Sequence, residues 1–189
     1  LNEDDVVSLT VANLRKNKDY PNLFAAAQLA CQANPRLHFL AVGQGPLEDE
    51  LRDLHATTGL GERFRFLGYR RDIPDLMAAA DIFTLGSAHE GLPVAIMEAF
   101  AAGLPVVATA VGGVPDQVRD GVEGIIVPPG NPVALGDALI RIAGHADLRA
   151  RLAANARTRA SVYDIRTAVH TQEQRYIQLT SGGTHQREV

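Results

Sequence analysis

Residues His89–Ala110 read HEGLPVAIMEAFAAGLPVVATA, and this stretch decides what kind of fold the chain can form. Its first part is a helical pattern that we expect to end at Gly103, because glycine commonly follows the last turn of a helix. The β-branched run Val106–Ala110 comes next and has the composition of a buried strand. After Glu90, the only ionisable side chain in the stretch is Glu98. Such a helix and strand are typical of a sheet covered on both faces.

The carboxylate of Glu98 is expected to be buried, since its neighbours on the helix are apolar. An ionised carboxylate without a partner is costly to bury, so such a group neutralises or acquires hydrogen bonds. Either a structural cation or a ligand would stabilise it there.

The loop that contains Glu90 leads into the same helix, with Pro93 predicted in the first turn. Free backbone amides at a helix N-terminus bind anions or hydroxyl groups, although a helix cap would explain Glu90 equally well on its own. At about 1.5 Å per residue, Glu98 lies roughly 7–8 Å farther along the helix axis. Two acceptors and several amides then converge on one cleft, which suits a ligand with a ribose, a sugar and a diphosphate.

The composition excludes several classes of function. The chain has 189 residues with 46% hydrophobic and 21% charged side chains, which is ordinary for one soluble domain. Its net charge of -4 argues against a nucleic-acid-binding protein. The single cysteine, Cys31, cannot form an internal disulfide and is expected to be a buried small residue in a reducing compartment. The histidines show no metal-binding spacing and no Asp-X-Asp follows a strand, so we expect no metal.

Strand and helix patterns alternate six times along the chain. The predicted strands are Val6–Ala12, Leu37–Val42, Arg63–Leu67, Asp81–Leu85, Val106–Ala110 and Gly124–Val127. Helical patterns lie between them, and two more follow near Leu148–Thr158 and Ile165–Leu179. The expected fold class is therefore α/β, a doubly wound parallel six-stranded sheet with helices on both faces.

Ligands of such sheets lie outside the carboxyl ends of the strands, so the loops there are candidate binding segments. These loops are Asn13–Asp19, Gly43–Pro46, Gly68–Asp72, Gly86–Pro93 and Val111–Gly113. The first loop offers Arg15, Lys16 and Lys18 to a diphosphate, although a basic loop is usually a solvated surface. Arg70 and Arg71 are a surface pair or neighbours of a base or phosphate. Gly43 and Gly45 fit either a tight turn or the close approach of a neutral part of a ligand.

Several segments of the sequence together resemble those of a known family. The segment EGLPVAIMEAFAAGLPVVAT, with two glutamates separated by seven residues, resembles the hallmark of retaining GT-B glycosyltransferases of family 4. Other segments look like family segments in the same order, from about Val6 to at least Ala143: VANLRKNKDYPNLFAA, LAVGQGPLEDEL, RFLGYRRDIPDLMAAADIFTLGS and VGGVPDQVRDGVEGIIVPPGNPVAL. The resemblance implies a Rossmann-like sheet that forms the C-terminal half of a GT-B fold.

The resemblance also implies a function and a domain organisation. Residues 1–180 would be the donor-binding domain and residues 181–189 a frayed tail, with an N-terminal acceptor domain absent from this chain. The whole enzyme would transfer a hexose from a UDP- or GDP-sugar to a glycan, lipid or small-molecule acceptor in bacterial polysaccharide or glycolipid biosynthesis. It would need no cofactor or metal, would bind no nucleic acid, and would be cytoplasmic, with peripheral association at the inner face of the plasma membrane. The isolated domain is expected to be inactive.

Residue roles follow from the resemblance position by position. Glu98 would accept hydrogen bonds from the ribose, and Glu90 would contact hydroxyls of the donor sugar. Lys18 matches the family lysine, whereas Asn13 stands where many members have arginine, so Arg15 is expected to take over that role. The catalytic candidates are Glu90, Arg15 and Lys18, and the donor-binding candidates are Glu98, Gly91, Leu92, Pro93, Gly43, Gly45, Tyr69 and Arg70. The acceptor would attack the face from which the nucleoside diphosphate leaves, and Arg15 and Lys18 would neutralise the leaving phosphate.

Two alternatives to a transferase domain stay open. One is a stand-alone module that binds nucleotide sugars without transferring them. The other is a nucleotide-sugar epimerase or phosphorylase on the same architecture. The lysine and the two glutamates favour the transferase over the second alternative, but not over the first.

Overall fold

A computed structural model describes residue 2 and residues 4–181 of the chain, and it contains one six-stranded sheet. The strand order is β3-β2-β1-β4-β5-β6 and every neighbouring pair is parallel. The strands are β1 (Val6–Val11), β2 (Leu37–Val42), β3 (Phe64–Gly68), β4 (Ile82–Leu85), β5 (Val106–Thr109) and β6 (Gly124–Val127). The doubly wound parallel sheet predicted from the sequence is confirmed.

Eight α-helices connect and follow the strands in the described part of the chain. They are α1 (Tyr20–Ala33), α2 (Glu48–Thr57), α3 (Ile73–Ala78), α4 (Val94–Ala102), α5 (Val114–Gln117), α6 (Pro132–Gly144), α7 (Ala146–Ala160) and α8 (Ile165–Ser181). A 3-10 turn at Lys16–Lys18 precedes α1. None of the described helices is long and apolar enough to cross a membrane. The predicted frayed tail begins at Ser181, which ends α8, and its other residues lie outside the described part.

The helices cover both faces of the sheet because the central strands are apolar on both sides. On one face α1 and α6 pack in a cluster that includes Phe24 and Leu139. On the other face α3, α4 and α5 pack in a cluster that includes Phe83 and Phe100. Removing this apolar surface from water provides the main stabilisation of such a sandwich.

The chain order reverses at the centre of the sheet, between β1 and β4. From β1 the next strands in sequence run to one edge, and from β4 they run to the other. Buried hydroxyl groups join the two strands: Ser8 Oγ and Thr84 Oγ1 lie 2.6 Å apart, and Thr10 Oγ1 donates to the Thr84 carbonyl at 2.9 Å. In open α/β sheets the crevice at such a switch point is the usual ligand site.

The N-termini of α6 and α3 differ in their capping hydrogen bonds. The Asn131 side chain accepts a hydrogen bond from Ala134 N at 3.0 Å and caps α6. Asp72 occupies the N-cap position of α3, but its side chain makes no capping hydrogen bond. It pairs instead with Arg70, two residues earlier, which competes for the same carboxylate.

Candidate functional site

An ion pair joins the loops that follow β1 and β4 at the switch point. Lys18 Nζ lies 2.6 Å from Glu90 Oε1, and the two side chains are only 15% and 7% exposed. Ser87 Oγ donates to the same oxygen, also at 2.6 Å. Within the described residues, nothing hydrogen-bonds to Glu90 Oε2. Half of this carboxylate therefore remains available to accept hydrogen bonds.

The turn at Lys16–Lys18 fixes where Lys18 points. Asp19, the next residue, has φ +46° and is the only described non-glycine residue with a positive φ. Aspartate adopts this left-handed conformation more readily than most residues. Asn17 binds the other loop, since its carbonyl accepts from Ala88 N at 2.9 Å and its side-chain amide donates to the His89 carbonyl at 3.2 Å. The two loops are thus held together by backbone as well as side-chain contacts.

Free backbone amides lie beside this ion pair, at the start of α4. The helix begins at Val94, so Pro93 is its N-cap residue and not part of the first turn as predicted. The N–H groups of Gly91, Leu92, Val94 and Ala95 donate to no acceptor within the described range. Pro93 has no N–H and cannot be one of these donors, and its assignment to donor binding stays a prediction. The four amides are therefore free to bind a ligand, and amides at a helix N-terminus suit an anion.

The expectation that Glu98 is a buried lone carboxylate is wrong, because its side chain is exposed. Only one face of α4 packs into the core, through residues such as Ile96 and Ala99. Val94 and Ala101 are also exposed and lie on the uncovered face with Glu98. Apolar residues at surface positions are common, so apolar neighbours did not imply burial here. The fold therefore does not require a partner for Glu98.

A cavity of about 310 Å³ lies between α3 and α4, with Glu98 on its wall. The other lining residues are apolar and include Ile73, Pro74 and Met77. A carboxylate beside an apolar wall suits a ligand that has a flat or apolar body and hydroxyl groups.

Arg15 is exposed and lies apart from the Lys18–Glu90 pair. It lines a cavity of about 760 Å³ together with Lys16, Glu50 and His89. Across the described range it makes no ion pair. The structure therefore places Arg15 on the same loop as Lys18 but does not bring its side chain into contact with Glu90.

Gly43 and Gly45 are required by the approach of two backbone segments. Gly43 has φ +143°, and a Cβ at this position would lie 2.0 Å from the Ala12 carbonyl oxygen. A Cβ at Gly45 would lie 2.4 Å from the Leu14 carbonyl oxygen. These contacts support the tight-turn interpretation, and the assignment of both glycines to donor binding stays a prediction.

Tyr69 and Arg70 lie on the surface after β3. The Tyr69 side chain is exposed, and the Arg70 guanidinium makes a two-point contact with Asp72. Hydrogen bonds from Arg70 lower the pKa of the Asp72 carboxyl. The ion pair with Asp72 supports the interpretation of Arg70 as a surface residue.

The turn after β5 packs directly behind the Glu90 loop. A Cβ at Gly112 would lie 1.8 Å from the Glu90 carbonyl oxygen, and Gly113 N donates to the Gly91 carbonyl at 2.7 Å. Gln117 Nε2 donates to the Pro93 carbonyl at 3.2 Å. The Gly-Gly pair after a strand was a usable signal for close approach, whereas nothing in the sequence singled out Gln117.

Metal ligands do not converge in the described residues, where no three or more His, Cys, Asp or Glu side chains come together. The predicted independence of metal stays a prediction.

Comparison with protein families decides the identity of the domain. The family described as Glycosyl transferases group 1 matches residues 1–159. The chain belongs to this family.

Two curated members show the same relationship over shorter alignments. The group 1 domain is 35% identical over 119 residues to the lipopolysaccharide core biosynthesis glycosyltransferase LpsE of Rhizobium meliloti, covering 63% of this chain and 35% of that protein. It is 33% identical over 149 residues to the amylovoran biosynthesis glycosyltransferase AmsK of Erwinia amylovora, covering 74% and 37%.

Among solved structures, the group 1 domain is similar to Anabaena Alr3699/HepE in complex with UDP-glucose. The sequences are 32% identical, the TM-score is 0.81, and the match covers 94% of this chain and 49% of HepE. The Rossmann-like sheet of a GT-B glycosyltransferase is thereby confirmed. The chain spans between a third and a half of the lengths of these three proteins.

Proposed function

We propose that this group 1 domain binds the nucleoside-diphosphate sugar donor of a retaining GT-B glycosyltransferase of family 4. One observation carries the proposal: the Lys18–Glu90 pair lies beside four free amides of the α4 N-terminus, at the switch point of the sheet. An ammonium group and backbone amides suit a diphosphate, and a carboxylate oxygen without a partner suits sugar hydroxyls. The complex of HepE with UDP-glucose supports this ligand class.

Each part of the donor has a proposed partner. Lys18 and the amides of Gly91 and Leu92 hold the diphosphate and the sugar, and Glu90 Oε2 accepts a hydrogen bond from a sugar hydroxyl. Glu98 accepts hydrogen bonds from the ribose, since its carboxylate is exposed on the wall of the apolar cavity. Arg15 is a second cation for the leaving phosphate, supported by its free guanidinium on the Lys18 loop.

In the proposed reaction the acceptor hydroxyl attacks the anomeric carbon on the face from which the diphosphate leaves, and its proton passes to the leaving phosphate oxygen on that face. The bond between the anomeric carbon and the phosphate oxygen breaks, and its electron pair stays on that oxygen. Preorganised donors stabilise such developing charge without reorganisation, so Lys18 and the α4 amides would lower the barrier. We propose that the reaction needs no metal or other cofactor.

The whole enzyme is proposed to contain an N-terminal acceptor-binding domain in addition to the donor domain of residues 1–180. The relatives are between two and three times as long as their match to this chain, which supports a second domain. The acceptor would be a glycan or lipid, which is in line with LpsE being a glycosyltransferase of lipopolysaccharide core biosynthesis and AmsK one of amylovoran biosynthesis. The transferred group would be a hexose. We expect cytoplasmic location with peripheral association at the membrane, and no transfer by the isolated chain.

Titration calorimetry of this chain with UDP and GDP in EDTA tests the proposal. We expect one of the two nucleotides to bind with a one-to-one stoichiometry, because the site supplies its own cation and amides. A chain that binds neither nucleotide, or binds only after addition of Mg²⁺, would contradict the proposal. Measured transfer from a sugar nucleotide by this chain alone would contradict the expected need for a second domain.

A further inference from the structure

The donor groups proposed above lie on a loop, and a loop needs external contacts to keep a fixed position. Residues Gly86–Pro93 have no regular secondary structure. On one side the Lys16–Lys18 turn holds this loop through Asn17 and Lys18. On the other side it meets the turn that joins β5 to α5.

That second contact is a close one between backbones. A Cβ at Gly112 would meet the Glu90 carbonyl oxygen, and one at Gly113 would lie 2.8 Å from the Gly91 carbonyl oxygen. Gly113 N also donates to the Gly91 carbonyl. Any side chain here would push the Glu90 loop away, so the turn acts as a fixed backing for the loop.

Gln117, at the end of α5, extends the backing to the start of α4. Its side chain is 1% exposed, and Nε2 donates to the Pro93 carbonyl at 3.2 Å. Its Oε1 is buried and finds no partner in the described structure. A methionine of similar size would leave no buried oxygen without a partner. The contact with Pro93 is thus the feature that an amide at this position supplies and an apolar side chain would not.

The Pro93 carbonyl does not depend on Gln117 for hydrogen bonding. Ile96 N also donates to it, at 3.2 Å. Loss of the Gln117 contact would therefore leave no backbone group without a partner. Its expected effect is on the direction of the α4 N-terminus and not on whether α4 forms.

We propose that Gln117 is a positioning residue for the donor, which aims the amides of Leu92, Val94 and Ala95 at the diphosphate by holding the Pro93 carbonyl. This inference rests on the proposed donor-binding function. The residue acts through the backbone of α4 and does not touch the ligand.

Arg159 of α7 holds the backbone at Gln117 in place. Arg159 donates to the Asp116 carbonyl at 3.0 Å and to the Gln117 carbonyl at 3.4 Å. Its guanidinium also lies 5.7 Å from the centroid of the Tyr163 ring, which stacks on Phe100 of α4 at 6.3 Å. Arg159 thereby ties α5 and α4 to the same point, and it should support the Gln117 contact indirectly.

The test compares Gln117→Met with Gln28→Met in this chain. Gln28 is a matched control, because its Nε2 also donates to a loop carbonyl, that of Thr58, at 2.7 Å, on the other face of the sheet. Affinities for UDP, GDP and uridine are measured by NMR titration, and the melting temperature of each variant is recorded.

We expect Gln117→Met to weaken nucleoside-diphosphate binding about five- to tenfold while uridine affinity changes less than about twofold, because only the amide contacts are displaced. Gln28→Met should change neither affinity. Equal losses for UDP and uridine would indicate a general structural effect and overturn the inference, as would unchanged UDP binding. Wild-type protein that binds no nucleotide would overturn the donor-binding proposal and this inference with it.

Discussion

Glu90 and Glu123 are both buried carboxylates paired with a basic side chain, but they use their oxygens differently. Glu123 Oε1 accepts from the Arg119 guanidinium and Oε2 accepts from Arg119 N, at 2.9 Å. Both oxygens of Glu123 are therefore engaged. In Glu90 the two donors, Lys18 and Ser87, share Oε1. The protein itself engages both oxygens of Glu123, whereas Glu90 has one oxygen left to accept a hydrogen bond from a ligand.

The two pairs also differ in their place in the fold. Arg119 and Glu123 are four residues apart, at the amino end of β6. Lys18 and Glu90 are 72 residues apart and meet at the carboxyl ends of β1 and β4. A local, saturated pair stabilises its own turn. A long-range, unsaturated pair at the switch point has the properties of a binding site.

The strongest test of this difference between the two ion pairs is a substitution of Lys18. We expect Lys18→Met to lower affinity for the nucleoside diphosphate roughly 10- to 150-fold, because a charge-assisted hydrogen bond is worth about 1.5–3 kcal/mol. Uridine binding should be unchanged. Calorimetry with both ligands measures the difference, and Lys16→Met, which removes an exposed ammonium from the same turn, is the control. A similar loss for uridine would show that Lys18 acts on the fold and not on the phosphate.

The second test concerns stability. Glu123→Gln should lower the free energy of unfolding by about 1–3 kcal/mol at neutral pH, since it replaces a buried charged group with two acceptor oxygens by a neutral amide with one. Nucleotide affinity should not change. Urea unfolding measures the first quantity, and Glu62→Gln, at a side chain that is 93% exposed, serves as control.

The same variant has a pH dependence of defined sign. Burial alone would raise the pKa of Glu123, but the hydrogen bonds from the Arg119 side chain and backbone outweigh it, so the pKa is lowered. A group with a lowered folded-state pKa contributes stability above about pH 4.5, and the contribution is lost as pH falls through the folded-state pKa. The difference in stability between wild type and Glu123→Gln should therefore shrink in acid. A constant difference from pH 7 to about pH 3 would contradict the assignment.

Glu90→Gln is expected to act on the sugar. Free UDP or GDP should bind within about twofold of wild type, while the corresponding sugar nucleotide loses about tenfold, because a neutral amide is a weaker acceptor for the sugar hydroxyl. Competition titrations with UDP and UDP-glucose measure the two affinities. Equal losses for both ligands would remove the distinction between the diphosphate and sugar parts of the site.

Glu98→Gln should have the smallest effect, because the carboxylate is exposed to water. We expect a loss of about three- to tenfold that is the same for nucleoside and nucleotide, since both contain the ribose. NMR titration with uridine and UDP checks this, with Glu173→Gln on the exposed surface of α8 as the control. A loss restricted to UDP would place Glu98 near the phosphates instead.

The sheet could be predicted from the sequence because parallel strands buried on both faces are continuous apolar runs. The limits of β2 and β6 agree with the prediction, β1, β4 and β5 differ by one residue at one end, and β3 is shifted by one residue at both ends. Because all the strands are parallel, their carboxyl ends lie along the same edge of the sheet. It was therefore possible to name the loops of the site before their contacts were known.

The side-chain contacts of the site could not be predicted from the sequence, because they depend on how distant segments pack. The composition of α4 does not say which face is covered, so Glu98 was expected to be buried. The Lys18–Glu90 pair joins two loops that are 72 residues apart in the chain, and the Gln117 contact joins the end of α5 to the residue before α4. Each is set by tertiary structure. The roles of all the candidate site residues stay predictions, those of Arg15, Tyr69 and Arg70 among them.

The 72-residue separation of Lys18 and Glu90 has a consequence for folding. The strands β1, β2 and β3 form one half of the sheet and β4, β5 and β6 the other, so each half supplies one member of the pair. A ligand that spans the pair can bind only when both halves have assembled, and by linkage it would raise the stability of the whole domain by about 2.7 kcal/mol at a hundredfold excess over Kd. Ligand binding at this crevice would therefore make the two halves unfold more nearly as one unit.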